Sequence, residues 1–346
     1  MNTGKHDNSV AIATEFQIIV CYDDGTGRMP DHNRRLKNMK RIISILMVLA
    51  MVLGLCAFAN AEEADISALT VTSPSGAPAL ALATMAAGNK DNYTYIAADT
   101  IAAAFAGREA DFIIAPVNAG AKLYKAGKST YKLAAVVSWG NLFIAAQKAD
   151  LKAEDLNGAN ITLFGENTIN ASVVLYALKE NGIEPAKVEY LAGAADTQAL
   201  LLSDAEAIVV TAEPALTAAK MKNDQIGAIA VNDLFKAAAG EDGYAQAGLF
   251  VKAETLEAQP EAVAAFLKQA EEACGKCTTD VEAVAEAAVT MEILPNAKVA
   301  ATAIPGCAIR FVAAKDAKEQ VEKTAAIDPA QFGGEAPADD FYYGAE

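Results

Sequence analysis

Histidine is nearly missing from this chain, and tryptophan occurs once. Both histidines, His6 and His32, fall within the first 61 residues, a segment that reads as one to be removed. Without imidazole in the remainder, His-dependent nucleophilic or acid–base catalysis and a His-ligated metal are excluded. Positive charge is scarce too, with 28 Lys and Arg against 44 Asp and Glu and a net charge of −16. The first 61 residues hold seven of the former and five of the latter, which leaves 21 against 39 and a net charge of −18 for the rest. Such a surface disfavours nucleic acid and anionic membrane as partners. No residue pattern implies a cofactor or a metal.

What is present begins with NRRLKNMKRIISILMVLAMVLGLCAFANAEE, residues 33–63. Lys40 and Arg41 supply the positive region of a secretory signal, Ile42 to Phe58 its apolar core, and Ala59-Asn60-Ala61 a small-x-small cleavage site. The mature chain is expected to start at Glu62. One alternative is a retained anchor, because the apolar run approaches the ~18 residues at which spanning becomes plausible. Another is lipidation at Cys56, although Leu55 is large for a lipobox. Cleavage is favoured by the small residues followed directly by Glu62-Glu63. The late start has an economical explanation as a hypothesis: AGG-AGG codons at Arg34-Arg35 would form an in-frame ribosome-binding sequence, with Leu36-Lys37-Asn38 as spacer and Met39 as the expected initiator. Residues 1–38 are then an upstream extension, and 39–61 a signal peptide.

About 285 residues remain, enough for one large domain or two lobes. Apolar runs of strand length alternate with amphipathic stretches, which predicts α/β layers. ALTVTSP, YTYIAA and DFIIAPV read as strands, with helices in GAPALALATMAA and DTIAAAFAG. About ninety residues later the order recurs: strands ANITLFG, VEYLAG and EAIVVTA, with helices in ENTINASVVLYALKENG and ADTQALLLS. Asp99-Thr100 and Asp196-Thr197 each stand where a helix begins, as N-caps do. Between the copies, YKLAAVVSWGNLFIAAQ predicts two strands about a turn, and KADLKAEDLNG a crossover. Later, QAGLFVKAETL reads as a strand and PEAVAAFLKQAEEACGKC as a helix with Pro260 in its first turn. Thr279 and Glu282 are spaced as a capping box for the next helix. Tyr342 and Tyr343 are expected to dock the glycine- and acid-rich tail.

In open α/β sheets, ligands lie beyond the carboxyl ends of strands. That selects SPSGAP (73–78), PVNAG (116–120), GENTINAS (165–172) and TAEPA (211–215). Ser73 and Ser75 offer hydroxyls, Gly76 allows close backbone approach, and the following helix start presents unpaired N–H groups. Thr168, Asn170 and Ser172 offer the same from the other half. Asn118 is a candidate polar contact. Trp139, beside Asn141 in a turn, is a candidate stacking surface. Glu213 implies an amine or other donor if it faces the ligand. These loops contain no Lys or Arg. Each residue also has a purely structural use, as cap, turn or core filler.

Cys274, Cys277 and Cys307 remain after processing. A redox role for Cys-Gly-Lys-Cys requires the pair at a helix start, and here it closes a helix. A structural bridge from Cys307 to Cys274 or Cys277, or one within the pair, is open in an exported protein.

Together these features resemble the periplasmic-binding-protein type II fold, and within it the solute-binding components of ABC importers for sulfonates, nitrate, taurine and thiamine-pyrimidine precursors. The resemblance covers residues 62–346 and rests on SPSGAPALAL, ADFIIAPVNAGAKLYKAG, EDLNGANITLF, PEAVAAFLKQAEEA and GGEAPADDFYY. It implies an α/β chain of two lobes, each a mostly parallel sheet flanked by helices, with two crossover segments. Lobe 1 is expected to comprise residues 62–148 and 246–346, and lobe 2 residues 149–245. The resemblance further implies a monomer that captures a small polar or anionic solute without altering it and delivers it to an ABC permease and its ATPase. Two other readings stay open: an enzyme of the same fold acting on a small carboxylate, and a membrane-anchored sensor ectodomain.

Overall fold

Short apolar runs bounded by Gly, Pro or Asn form the strands of this protein, for which a computed structural model describes residues 64–345. The expected signal peptide, the extension before it and Cys56 lie outside the described residues. In chain order the strands are β1 Val71–Pro74, β2 Tyr93–Ile96, β3 Phe112–Pro116, β4 Tyr131–Ser138, β5 Leu142–Ala146, β6 Asn160–Phe164, β7 Lys187–Leu191, β8 Ile208–Ala212, β9 Gly227–Ala230, β10 Ala247–Lys252 and β11 Ile309–Ala313. They make two separate sheets, ordered β11-β4-β10-β3-β1-β2 and β7-β6-β8-β5-β9. Both are mixed. In the first, β10 and β11 oppose the other strands; in the second, only β5 does.

Read from the far edge, β2-β1-β3-β10-β4 and β7-β6-β8-β5-β9 are the same arrangement. Each begins with a parallel trio, continues with an opposed strand that the chain lays down on arriving from the other sheet, and closes with a strand parallel to the trio. The sequence repeat is therefore structural, with β3 and β8 as equivalent strands.

The expected lobe boundary after residue 148 is corrected. The runs around Trp139-Gly140 read as neighbours in one lobe, but β5 already belongs to the second sheet, so the first crossing is Trp139–Asn141. Gly140, at φ 96°, makes that turn, and a Cβ there would run into Asn232 and Tyr244. The stretch expected as the crossover instead leads into β6 through a short turn that buries Leu156. The chain returns through residues 240–246, ahead of β10.

Strand alternation distributes the core between faces. Phe112 and Ile114 point to one side of the first sheet, where Phe112 stacks on Phe266 of the helix Pro260–Thr279 at 3.9 Å between ring centroids. Ile113 and Ala115 point to the other side, where Phe105 meets Tyr131 and Phe250 edge-on. Each such fully buried large side chain contributes about 1.5–3 kcal/mol. The tail is docked, with Phe341 and Tyr342 buried and the Tyr343 N–H donating to the Leu133 carbonyl at 2.8 Å.

Three local expectations are corrected. Asp280, not Thr279, caps the helix Val281–Thr290, its carboxylate accepting from the Ala283 N–H, because the preceding helix continues through Thr279. Asp196 and Thr197 lie inside a first turn, where the Asp196 carboxylate accepts from the Gly193 N–H; Thr100 does stand at the N-cap of the helix Ile101–Gly107, but its hydroxyl donates to the Ala97 carbonyl instead of accepting from that helix. Finally, Cys274, Cys277 and Cys307 are free buried thiols rather than a bridge. Each thiol faces a different carbonyl, those of Ala81, Leu80 and Ala303. The short strands β9 and β11 are not among those expected from the apolar runs.

Candidate ligand-binding site

Strand register brings the carboxyl ends of both trios to one place. Ala247, the first residue of β10, lies opposite Pro116 at the end of β3 and Ser138 at the end of β4. Leu142, the first residue of β5, lies opposite Ala212 at the end of β8. Both trios therefore end at the two crossings, where ligands of open α/β sheets are held.

Two amide side chains join those crossings. Asn141 immediately precedes β5, Gln246 immediately precedes β10, and Gln246 Nε2 donates to Asn141 Oδ1 at 2.9 Å. Their backbones repeat one contact: the Val117 N–H after β3 donates to the Gln246 carbonyl, and the Glu213 N–H after β8 donates to the Asn141 carbonyl, both at 3.0 Å. Gln246 is the hub. Its Oε1 accepts from Ser138 Oγ at 3.0 Å, and its Nε2 also reaches Asn170 Oδ1 at 3.3 Å and the Tyr244 hydroxyl at 3.1 Å. Tyr244 donates to Asn170 Oδ1 at 2.8 Å, and Asn232 Nδ2 donates to the Trp139 and Gly140 carbonyls. Asn232 Oδ1 is buried with no partner, while the remaining bonds hold the other members of the network rigidly.

Of the expected site residues, Asn141, Asn170 and Glu213 meet in this network, Glu213 accepting from Asn141 Nδ2 through its carbonyl at 3.0 Å. Glu213 is 8% exposed as a residue; its carboxylate oxygens accept from the Thr217 N–H at 3.0 Å and hydroxyl at 2.9 Å. Burial outweighs those bonds and holds its pKa above the usual carboxylate value. A Cβ on Gly306 would meet the Glu213 side chain at 2.9 Å, so a first-lobe turn closes against this residue.

Thr168 caps the helix Ile169–Glu180, and Ser172, one turn on, donates to Asp328 at 2.7 Å. Ser73 is buried and donates to the Pro74 carbonyl, Ser75 is exposed, and Gly76 follows with φ 101°. Asn118 lies in the first turn of the helix Val117–Lys125, and its Oδ1 is buried without a partner. None of these last four has a hydrogen bond to the second lobe among those described. Trp139 is corrected from a stacking surface to a packed one: it is 1% exposed, its indole N–H donates to the Arg310 carbonyl at 3.1 Å, and the Arg310 guanidinium stands 4.3 Å from the ring centroid.

Gln246, Tyr244 and Asn232 were missed. The one available signal was positional: Gln246 stands before the strand GLFVK as Asn141 stands before LFIAA. Two cavities, of about 450 and 610 Å³, lie on the first lobe alone, one between β1, β2 and the helix Ile101–Gly107, the other beside Tyr93 and Phe266.

The NMT1/THI5 like family matches this chain over residues 97–283, more than half its length, and the chain belongs to that family. Solved structures share the fold. An ABC transporter from Parabacteroides distasonis is 21% identical with a TM-score of 0.70, over 81% of this chain and 100% of that one. A ligand binding component of an ABC-type import system from Staphylococcus aureus, with zinc bound, is 12% identical with a TM-score of 0.61, over 79% and 95%. The periplasmic aliphatic sulphonate binding protein of Escherichia coli is 17% identical with a TM-score of 0.58, over 76% and 86%. No curated protein sequence matches significantly.

Proposed function

We propose that this protein is the extracytoplasmic substrate-binding component of an ABC importer, a monomer that captures a small solute between its lobes and presents it to a permease driven by an ATPase. One observation carries the reading: two separate sheets that share one five-strand order, the first with β11 added at its edge, joined by two crossings at the carboxyl ends of both parallel trios. That arrangement lets a guest bridge the halves and bias them towards a closed state. Family membership supports it, as do the transport roles named for the solved relatives. In this reading Ser75, Gly76 and Asn118 face Thr168, Asn170 and Glu213 across the cleft, and Asn141 and Gln246 form its floor. No helix among the described residues is long and apolar enough to cross a membrane. Export through residues 39–61 places the mature chain in the periplasm or at the cell surface.

Native mass spectrometry of protein purified gently from its own cells, followed by thermal-shift titration with the released compound, tests the reading. The expected result is one small molecule per chain, recovered unchanged, that raises the melting temperature by mass action. Turnover of that molecule would transfer the protein to the enzymes of this fold.

A further inference from the structure

The cavity of about 450 Å³ beneath the helix Ile101–Gly107 reaches the amino ends of the first trio, where Thr70, Asp91 and Glu109 precede β1, β2 and β3. That is the end opposite to the crossings. Its volume falls in the range of roughly 300–1,000 Å³ that small-molecule sites occupy.

The lobe repeat shows why the space is there. Counted from Asp99 and Asp196, the helix after β2 carries Ala103 and Ala104 where the helix after β7 carries Leu200 and Leu201. In the second lobe Leu201 is fully buried, and Leu200 packs against the same cluster. In the first lobe Ala103 and Ala104 line the cavity instead. Alanine in place of leucine leaves unfilled volume wherever the surroundings do not collapse onto it.

The walls have a defined chemistry. Thr72 on β1 and Thr94 on β2 are register partners, so their side chains stand next to each other on one face of the sheet, and both line the cavity. Neither hydroxyl has a hydrogen bond to another described residue. The carboxylates of Asp91 and Glu109 share that wall, both exposed, and neither has an ion pair among the described residues. No lysine or arginine lines the space. Methyl groups, two free hydroxyls and two carboxylates without counter-ions therefore meet in one cavity.

We propose that this cavity is a second ligand site, outside the cleft, for a small organic cation: an ammonium or amidinium group carried on an apolar body. The body occupies the volume that Ala103 and Ala104 leave open. Its charged end lies in the field of Asp91 and Glu109, and the Thr72 and Thr94 hydroxyls accept its N–H groups. Two exposed carboxylates alone hold any cation weakly, because water and salt screen them. The apolar space beside them selects an organic one. A net charge of −16 adds long-range attraction. The site neither assumes nor alters the solute of the cleft.

The test is an NMR titration of the whole protein carrying labelled threonine methyl groups. Benzylamine, cyclohexylmethylamine and benzamidine are set against benzyl alcohol and benzoate. The Thr72 and Thr94 methyl signals are expected to shift saturably with the three cations, and benzoate is expected to leave them in place. Ala103→Leu combined with Ala104→Leu weakens binding at least tenfold by filling the space. Asp91→Asn combined with Glu109→Gln weakens it several-fold, and more at low salt than at high. The melting temperature of each ligand-free variant is the folding control, and the exposed pair Asp91→Asn with Glu109→Gln carries the test if the filled variant does not fold. The proposal is overturned if no cation moves Thr72 and Thr94, if benzyl alcohol or benzoate binds as tightly, or if a folded filled variant binds like wild type. Shifts confined to Thr168 and Thr217 would place the cation in the cleft and overturn it as well. All of these outcomes leave the solute-binding reading intact.

Discussion

Asn141 and Gln246 stand 105 residues apart in sequence and share a hydrogen bond of 2.9 Å between their side-chain amides. Each is the residue that leads the chain into a sheet it has just reached, and each offers its carbonyl to the residue that follows a trio's third strand. The pair is thus the point at which the lobe repeat meets itself.

Replacing Gln246 by Ala leaves Asn141 Oδ1 without a donor and takes one partner each from Ser138 and Tyr244. A loss of about 1–3 kcal/mol is expected, the usual cost of a buried group left unsatisfied. Urea unfolding measures it. The double-mutant cycle with Asn141→Ala should return a coupling of about 0.5–3 kcal/mol, and strict additivity would deny the contact.

Gly243 lies on the return crossing with φ 140°, and a Cβ there would strike the Trp139 carbonyl oxygen on the first crossing. Because the obstacle is backbone, Gly243→Ala should cost about 1–3 kcal/mol, the range for forced overpacking. A melting temperature equal to wild type would show that the two crossings are not packed together.

The sole tryptophan reports on the same place. With Trp139 buried and its N–H bonded, native emission should lie to the blue of the unfolded protein's and change when the solute is titrated in. An emission maximum identical before and after denaturation would contradict this packing.

Glu213 makes stability depend on pH in a known direction. Burial raises its folded pKa above the unfolded value, so the folded state holds its proton more tightly and loses relative stability as pH rises from the unfolded towards and beyond the folded pKa. Glu213→Gln removes that loss. Its stability relative to wild type should therefore increase from about pH 4 towards pH 7. A constant difference between the two would place the carboxylate in water.

The three described cysteines should be silent to a thiol reagent at pH 8 in the folded protein and should react on unfolding. Burial pushes the Cys277 thiol up to about 12 and raises Cys274 and Cys307 as well. Rapid labelling of native protein would mean that the helix Pro260–Thr279 opens.

Much of the architecture was legible because burial writes itself into periodicity. FIIAP and IVVTA are unbroken apolar runs since both faces of β3 and β8 are covered. The trios could be read from such runs and their caps. The register of β10 could not, because GLFVK suits any central position, and neither could the transfer of β5 to the second sheet. The candidate loops were found by position, while the amides that organise them were only partly found, because Gln246 and Tyr244 carry no local signature.

By itself, the sequence determined the layers, the repeat and the shortage of positive charge at the strand ends, since these follow from composition and spacing alone. The tertiary structure decided which strands share a sheet, where the chain crosses, that Trp139 is packed while Asn118 keeps an unmet acceptor, and that three cysteines stay apart. Those outcomes depend on pairings across a hundred residues or more, and the energy of a hydrogen bond or a buried ring is set by what stands opposite it in space.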